Sequence, residues 1–241
     1  MRKKKTKEAY REEVRKAYDK LRKAYRQLWD SHVEMIFRLA LMAECRDPET
    51  GTHIVRISEY SAVIAEGFGL PRKEVEIIRY SSPMHDIGKI MLPDSILRKK
   101  GDLNPAQLKL MREHPLAGAD IFRNARSPIM RACGVIALTH HERFDGSGYP
   151  KGLKGKKIPL YGRIVGLADV FDALISKRSY KKAYTFDKSV SMIMERAGTH
   201  FDPEVVMAFV RNRGKIRKVW QANKDIEEFL KNAEVLRTHL T

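Results

Sequence analysis

The residues most able to do chemistry in this chain are two adjacent pairs, His85-Asp86 and His140-His141. A lone histidine is usually a satisfied structural residue, but these are not lone. Both pairs close segments with apolar helical faces, and His114, just before Pro115, does the same. His53 follows Glu49 by four residues, so the two share one side of a helical turn. Asp169 lies inside the apolar run Ile164-Val165-Gly166-Leu167-Ala168-Asp169-Val170-Phe171. A carboxylate is expensive to bury there unless a metal or another cation neutralises it. Imidazoles together with carboxylates suit iron, manganese or zinc. Several metals close together need shared ligands, and a carboxylate such as Asp86 can bridge two.

These residues resemble a known family. His53, His85-Asp86 and Asp169 match the H…HD…D pattern of the HD phosphohydrolases. The strings His85-Asp86-Ile87-Gly88-Lys89 and His140-His141-Glu142-Arg143-Phe144-Asp145-Gly146-Ser147-Gly148-Tyr149-Pro150 narrow the likeness to the HD-GYP subfamily. So does Asp169-Val170-Phe171-Asp172-Ala173-Leu174, followed by Arg178, Tyr180 and Lys181. The likeness covers about residues 40 to 210, with several motifs in order, which a single short motif does not offer. It implies an all-α HD-domain helical bundle with a Gly-rich GYP loop or short hairpin, and a phosphodiesterase acting on cyclic di-GMP. The metal ligands it implies are His53, His85, Asp86, His114, His140, His141 and Asp169. Glu49 matches the extra carboxylate of members with three metals, so two or three divalent ions are expected. Iron is the first choice and manganese the alternative. Lys89 matches the lysine near the scissile phosphate, and Tyr149 belongs to the loop that names the subfamily. Arg178 and Lys181 match the basic residues that hold the substrate's phosphates. Asp47 and Asp172 match the pattern without an assigned role. A cyclic di-GMP synthase is the partner implied for the GYP loop.

The chemistry fits these residue types. Two adjacent metals supply a bridging hydroxide at neutral pH and draw charge from the phosphoryl oxygens. With Asp86 as the bridge, their spacing would be roughly 3.5–4 Å. Lys89, Arg178 and Lys181 would neutralise charge that grows in the transition state. Asp86 and Lys89 are therefore the expected catalytic residues, with Lys89, Tyr149, Arg178 and Lys181 binding substrate.

The elements that must position these groups read as helices. Proline follows a capping residue at Asp47-Pro48, Asn104-Pro105 and Ser127-Pro128, a start signal. Periodicity predicts helices from Pro48 to near Gly69, about Arg72 to Ile87, Leu160 to Ile175, Asp187 to Gly198, Pro203 to Asn212 and Asp225 to His239. The Gly-rich stretch Glu142 to Pro159 reads as a loop. At the start, Tyr10, Val14, Ala17, Leu21, Ala24 and Leu28 are spaced 4, 3, 4, 3, 4, an a/d seam for pairing with a second copy. The expected organisation is a basic heptad-patterned helix at 1–32, a catalytic domain at 33–214 and a helical tail at 215–241.

Composition limits the function classes. The chain has 241 residues with 47 basic and 30 acidic side chains, a net +17 that attracts polyanions. Residues 151–182 carry nine basic and two acidic residues, a run that would face a dianionic dinucleotide. Such a run could also be a solvated face. No nucleic-acid-binding module is present, so specific nucleic-acid binding is not expected. No apolar run reaches the ~18 residues of a membrane span, and no apolar signal-peptide core follows the basic start. Two cysteines, Cys45 and Cys133, make no disulfide framework, which points to a reduced, cytoplasmic setting. The rival functions are an HD phosphohydrolase for another cyclic dinucleotide, and a catalytically silent module that binds cyclic di-GMP or other proteins.

Overall fold

The computed structural model describes residues 7–44, 52–99, 101–176 and 183–222. They form ten helices: α1 (Lys7–Glu44), α2 (Thr52–Phe68), α3 (Arg72–Ser81), α4 (Asp94–Leu97), α5 (Pro105–Met111), α6 (His114–Ile121), α7 (Pro128–Thr139), α8 (Leu160–Ile175), α9 (Phe186–Met194) and α10 (Pro203–Arg211). A further helical stretch covers 213–222. Among the described residues there is no strand, and Glu142 to Pro159 is irregular apart from a 3-10 turn at Gly155–Lys157. The fold is the all-α bundle behind a long N-terminal helix that the sequence implies. Asp47, Glu49, Arg178, Tyr180, Lys181 and the helix expected at 225–239 lie outside the described residues.

The main core is built around α8. Its residues Ile164, Val165, Leu167, Ala168 and Phe171 are fully buried, as expected for a helix apolar on nearly every side. Phe171 meets the rings of Tyr60, Phe186 and Phe209 edge-on, with centroids 4.8–5.6 Å apart. The 213–222 stretch contributes Ile216 to this core. A second, smaller core joins Ile36 and Ala40 of α1 to Ile54, Met84 and Cys133, with Phe37 and Ile87 packed on it. Met84 and Ile87 immediately flank His85-Asp86, so the foot of α1 rests on the turn that carries this pair. Cys133 is fully buried in this core, its thiol pushed up to about 12 by burial.

Two close approaches need glycine. A Cβ on Gly88 would lie 2.0 Å from the His114 carbonyl oxygen. One on Gly166 would lie 2.5 Å from that of His140. Asp169 is three residues beyond Gly166 and on the same helix face.

Two helix boundaries differ from expectation. The helix expected from Arg72 to Ile87 ends at Ser81, followed by 3-10 turns at Ser82–Met84 and Ile87–Met91. Pro83 has no N–H and clashes with the turn before it, which ends an α-helix. His114 opens α6 instead of closing a helix, with Pro115 in its first turn.

Candidate metal centre

The helix interruptions create the site. A helix end leaves main-chain carbonyls without partners inside the helix, and three histidines use such carbonyls. His85 Nδ1 lies 3.0 Å from Ser82 O, and His114 Nδ1 2.7 Å from Met111 O. His140, at the C-cap of α7, places Nδ1 3.0 Å from Ala137 O and 3.1 Å from Ile136 O. A carbonyl only accepts, so Nδ1 carries the proton in each ring and Nε2 keeps its lone pair. His53 Nδ1 lies 2.7 Å from Asp172 Oδ2, which orients that ring the same way.

The Nε2 atoms and two carboxylates gather in two groups. Asp86, His114, His140 and His141 form one, and His53, His85 and Asp169 the other, each with candidate ligand atoms within 4.8 Å of one another. Asp86 reaches toward both. Its Oδ1 lies 3.1 Å from His114 Nε2 and 3.4 Å from His140 Nε2, while Oδ2 lies 3.5 Å from His85 Nε2. Asp169 Oδ1 lies 3.9 Å from His53 Nε2 and 4.0 Å from His85 Nε2. Lys89 Nζ stands 2.7 Å from Asp86 Oδ2. All seven expected histidine and aspartate ligands within the described residues therefore come together.

These donors suit divalent metal. His85 Nε2, Asp86 Oδ1, His114 Nε2 and His140 Nε2 are buried and make no hydrogen bond of normal geometry. Such buried polar atoms are costly unless something else satisfies them. Cations seated in the two groups would satisfy all four, and the Nδ1 hydrogen bonds are the outer-shell contacts that orient metal-binding imidazoles.

The electrostatics follow from burial and neighbours. Burial pushes His85 down to about 4, so its ring is neutral at pH 7. Burial, reinforced by His140, holds His141 well below the ordinary histidine value. At Asp86 burial raises the carboxyl, but Lys89 and the surrounding imidazoles outweigh it and hold the group ionised. Burial pushes the Tyr149 phenol above its ordinary value. Its ring stacks on His141 with centroids 4.7 Å apart.

Arg56 and Glu142 were not singled out in the sequence, and Asp172 had no assigned role there. Asp172 is buried and accepts from Arg56 Nε at 2.6 Å and Arg56 Nη2 at 2.9 Å, besides His53. Burial raises its carboxyl, but the bonds from His53 and Arg56 dominate and keep it far below the usual range. The signal was available: Asp172 shares the apolar run of Asp169, and Arg56 lies three residues after His53 on the same face. Glu142 is also buried and accepts from Lys151 N at 2.7 Å and Leu153 N at 2.9 Å, which ties down the Tyr149 loop. His200 stacks on Phe201 with centroids 4.2 Å apart.

The geometry is that of a candidate metal centre in a helical bundle, and the comparisons give the family. The HD-domain family model matches residues 38–205. The chain belongs to the HD-domain family, and the motifs around His85-Asp86 and Tyr149-Pro150 are consistent with its HD-GYP branch. It is 42% identical over 186 residues to the cyclic di-GMP phosphodiesterase response regulator RpfG of Xanthomonas campestris pv. campestris, covering 77% of this chain and 49% of that protein. It is 41% identical over 179 residues to 3'3'-cGAMP-specific phosphodiesterase 2 of Vibrio cholerae, covering 74% of this chain and 34% of that protein. The chain thus spans about half the length of these curated relatives or less. In fold it is similar to a cyclic GMP-AMP-specific phosphodiesterase of V. cholerae, V-cGAP3, with a TM-score of 0.58 at 20% identity, covering 83% of this chain and 53% of the other.

Proposed function

We propose that the chain is a metal-dependent phosphodiesterase that hydrolyses cyclic di-GMP to the linear dinucleotide, to GMP or to both. The observation that carries this reading is Asp86, whose two oxygens face two separate ligand groups while Lys89 stands beside it. His114, His140 and His141 would hold one metal, His53, His85 and Asp169 a second, and Asp86 would be shared. Glu49 would contribute to a third. Iron is the expected metal and manganese the alternative. Bound divalent metals supply an activated water and neutralise phosphoryl oxygens. Lys89 adds a point charge at the scissile phosphate, and Arg178 and Lys181 bind phosphate at the edge. Tyr149 forms a wall of the site against His141. The division into 1–32, 33–214 and 215–241, and a cytoplasmic setting, are retained as part of this reading. No helix among the described residues is long and apolar enough to cross a membrane.

The test is elemental analysis of anaerobically purified protein paired with turnover of cyclic di-GMP. At least two metals per chain and hydrolysis are expected. One metal or none, or full loading without hydrolysis, overturns the reading. A second reading, hydrolysis of another cyclic dinucleotide, is favoured by the 41% identity to a protein named for 3'3'-cGAMP. Comparing turnover of the two substrates separates them.

The reading includes a homodimer through α1 and a cyclic di-GMP synthase as partner of the Tyr149 loop. Supporting the dimer, Val14, Leu21 and Leu28 of the expected seam are exposed, Leu21 by 69%. Tyr18, Tyr25, Met35, Leu39 and Met42 are exposed too and continue the same 3-4 spacing.

A further inference from the structure

At the rim of the histidine cluster one cation has no part in the reading so far. Arg112 follows α5 and precedes His114 by two residues. Its guanidinium carbon lies 5.2 Å from the centroid of the Tyr149 ring. That ring in turn stacks on His141. The three side chains make a path from the candidate metal ligands to the surface. Arg112 is exposed, and among the described residues it has no ion-pair partner. A guanidinium over an aromatic ring uses its face for that contact, and its N–H groups remain directed outward in its plane. They suit a two-point contact with phosphate. Arg112 stands a full aromatic ring away from His141, so it does not share the phosphate that Lys89 and the ligand cluster would hold. A cyclic dinucleotide carries a second phosphate, whose charge can take a further cation beside Arg178 and Lys181.

We propose that Arg112 is a substrate-binding residue. Its guanidinium grips the second, non-scissile phosphate of a cyclic dinucleotide, and the Tyr149 ring holds it in place. This rests on the cyclic-dinucleotide reading above, which the test separates from it.

Metal-loaded wild type, Arg112→Ala and Arg112→Lys are assayed on cyclic di-GMP, on 3'3'-cGAMP and on bis(4-nitrophenyl) phosphate, a diester with one phosphate. Arg112→Ala is expected to raise KM for the cyclic dinucleotide by about 10- to 100-fold, the loss of a charged hydrogen-bonded contact. The kcat should stay within about twofold. Arg112→Lys should fall between, because it keeps the charge but loses the fork. Metal content and the small diester's kinetics should not change. Equal losses on both substrate types, or lower metal content, would mean that Arg112 acts by positioning Tyr149 and His141, and the proposal fails. An unchanged KM makes Arg112 a solvated surface residue and also overturns it. Wild type that cleaves the small diester but no cyclic dinucleotide overturns the substrate reading itself, and Arg112's assignment with it.

Discussion

The histidine centre and the outer half of α1 are both helical, yet they are constrained in opposite ways. Each imidazole of the centre with a described Nδ1 contact is held by a carbonyl or carboxylate 2.7–3.1 Å away. The rings of His53, His85, His114 and His140 are buried and stand at or near helix ends. Residues 10–28 of α1 expose Tyr10, Val14, Tyr18, Leu21, Tyr25 and Leu28, and the buried residues of α1 begin at Ile36. Packing within the chain determines the first region and leaves the apolar stripe of the second exposed. A substitution in the centre should therefore spread through the fold and the chemistry. One on the outer helix should leave the domain intact and change only what it assembles with.

The largest effect is expected from Asp86→Ala. It removes the carboxylate that faces both ligand groups, so activity should be abolished with the largest loss of metal. Elemental analysis and a turnover assay check this; retained metal would show that the two groups bind independently of Asp86. Next is Asp172→Asn, which touches no candidate metal position directly. Loss of an outer-shell partner typically costs about 10- to 100-fold in metal affinity or activity. It also takes an ionised partner from buried Arg56, and breaking a buried pair costs about 3–5 kcal/mol. Metal titration and thermal unfolding measure the two parts. An Arg56→Met, Asp172→Asn double variant that recovers stability but not metal affinity would separate packing from chemistry. Gly166→Ala is expected to come third. Its Cβ would press on the His140 carbonyl at 2.5 Å, and overpacking of this kind costs about 1–3 kcal/mol. Misplacing α8 by a fraction of an ångström should cut turnover without removing any ligand.

The pH dependence of the metal-free protein sharpens the comparison further. His85 is neutral in the fold, its value pushed down to about 4 by burial. An unfolded histidine titrates near 6.5. The unfolded chain therefore binds more protons between these values, and stability present above pH ~6.5 is lost as pH falls toward about 4. Metal-loaded protein should resist this fall, because ligands bind metal in their deprotonated form. Thermal unfolding of both forms at pH 7 and 5 checks it; equal shifts in the two forms would mean that metal does not engage His85. The smallest effect on the domain is expected from Leu21→Asp with Leu28→Asp. Exposed positions like these usually change domain stability by no more than about 0.5 kcal/mol. In a paired seam they would bury carboxylates and split the dimer. Sedimentation at low and high salt decides this. A double variant that stays dimeric, or a parent monomeric at every salt concentration, removes α1 as the pairing surface.

Much of the centre was legible in the chain. Residue type and spacing brought out His53, His85-Asp86, His114, His140-His141 and Asp169, because a carboxylate in an apolar run and paired histidines are costly without a common purpose. Helix starts at Pro105, Pro128, Leu160 and Pro203 were legible from proline and periodicity, which are local. Arg56 and Asp172 were not read as a pair, because they are 116 residues apart and only the packing of α2 on α8 joins them. Nor could the spacing tell which ring nitrogen each histidine would offer. That depends on carbonyls at Ser82, Met111 and Ala137, released where helices end. The sequence by itself picked out the candidate ligands and the helical pattern, since both rest on residue types and near-neighbour spacing. Only the tertiary structure decided that Asp86 faces both ligand groups, that Arg112 meets Tyr149 and that the outer seam of α1 stays uncovered. Those are contacts between segments distant in the chain, and packing alone selects them.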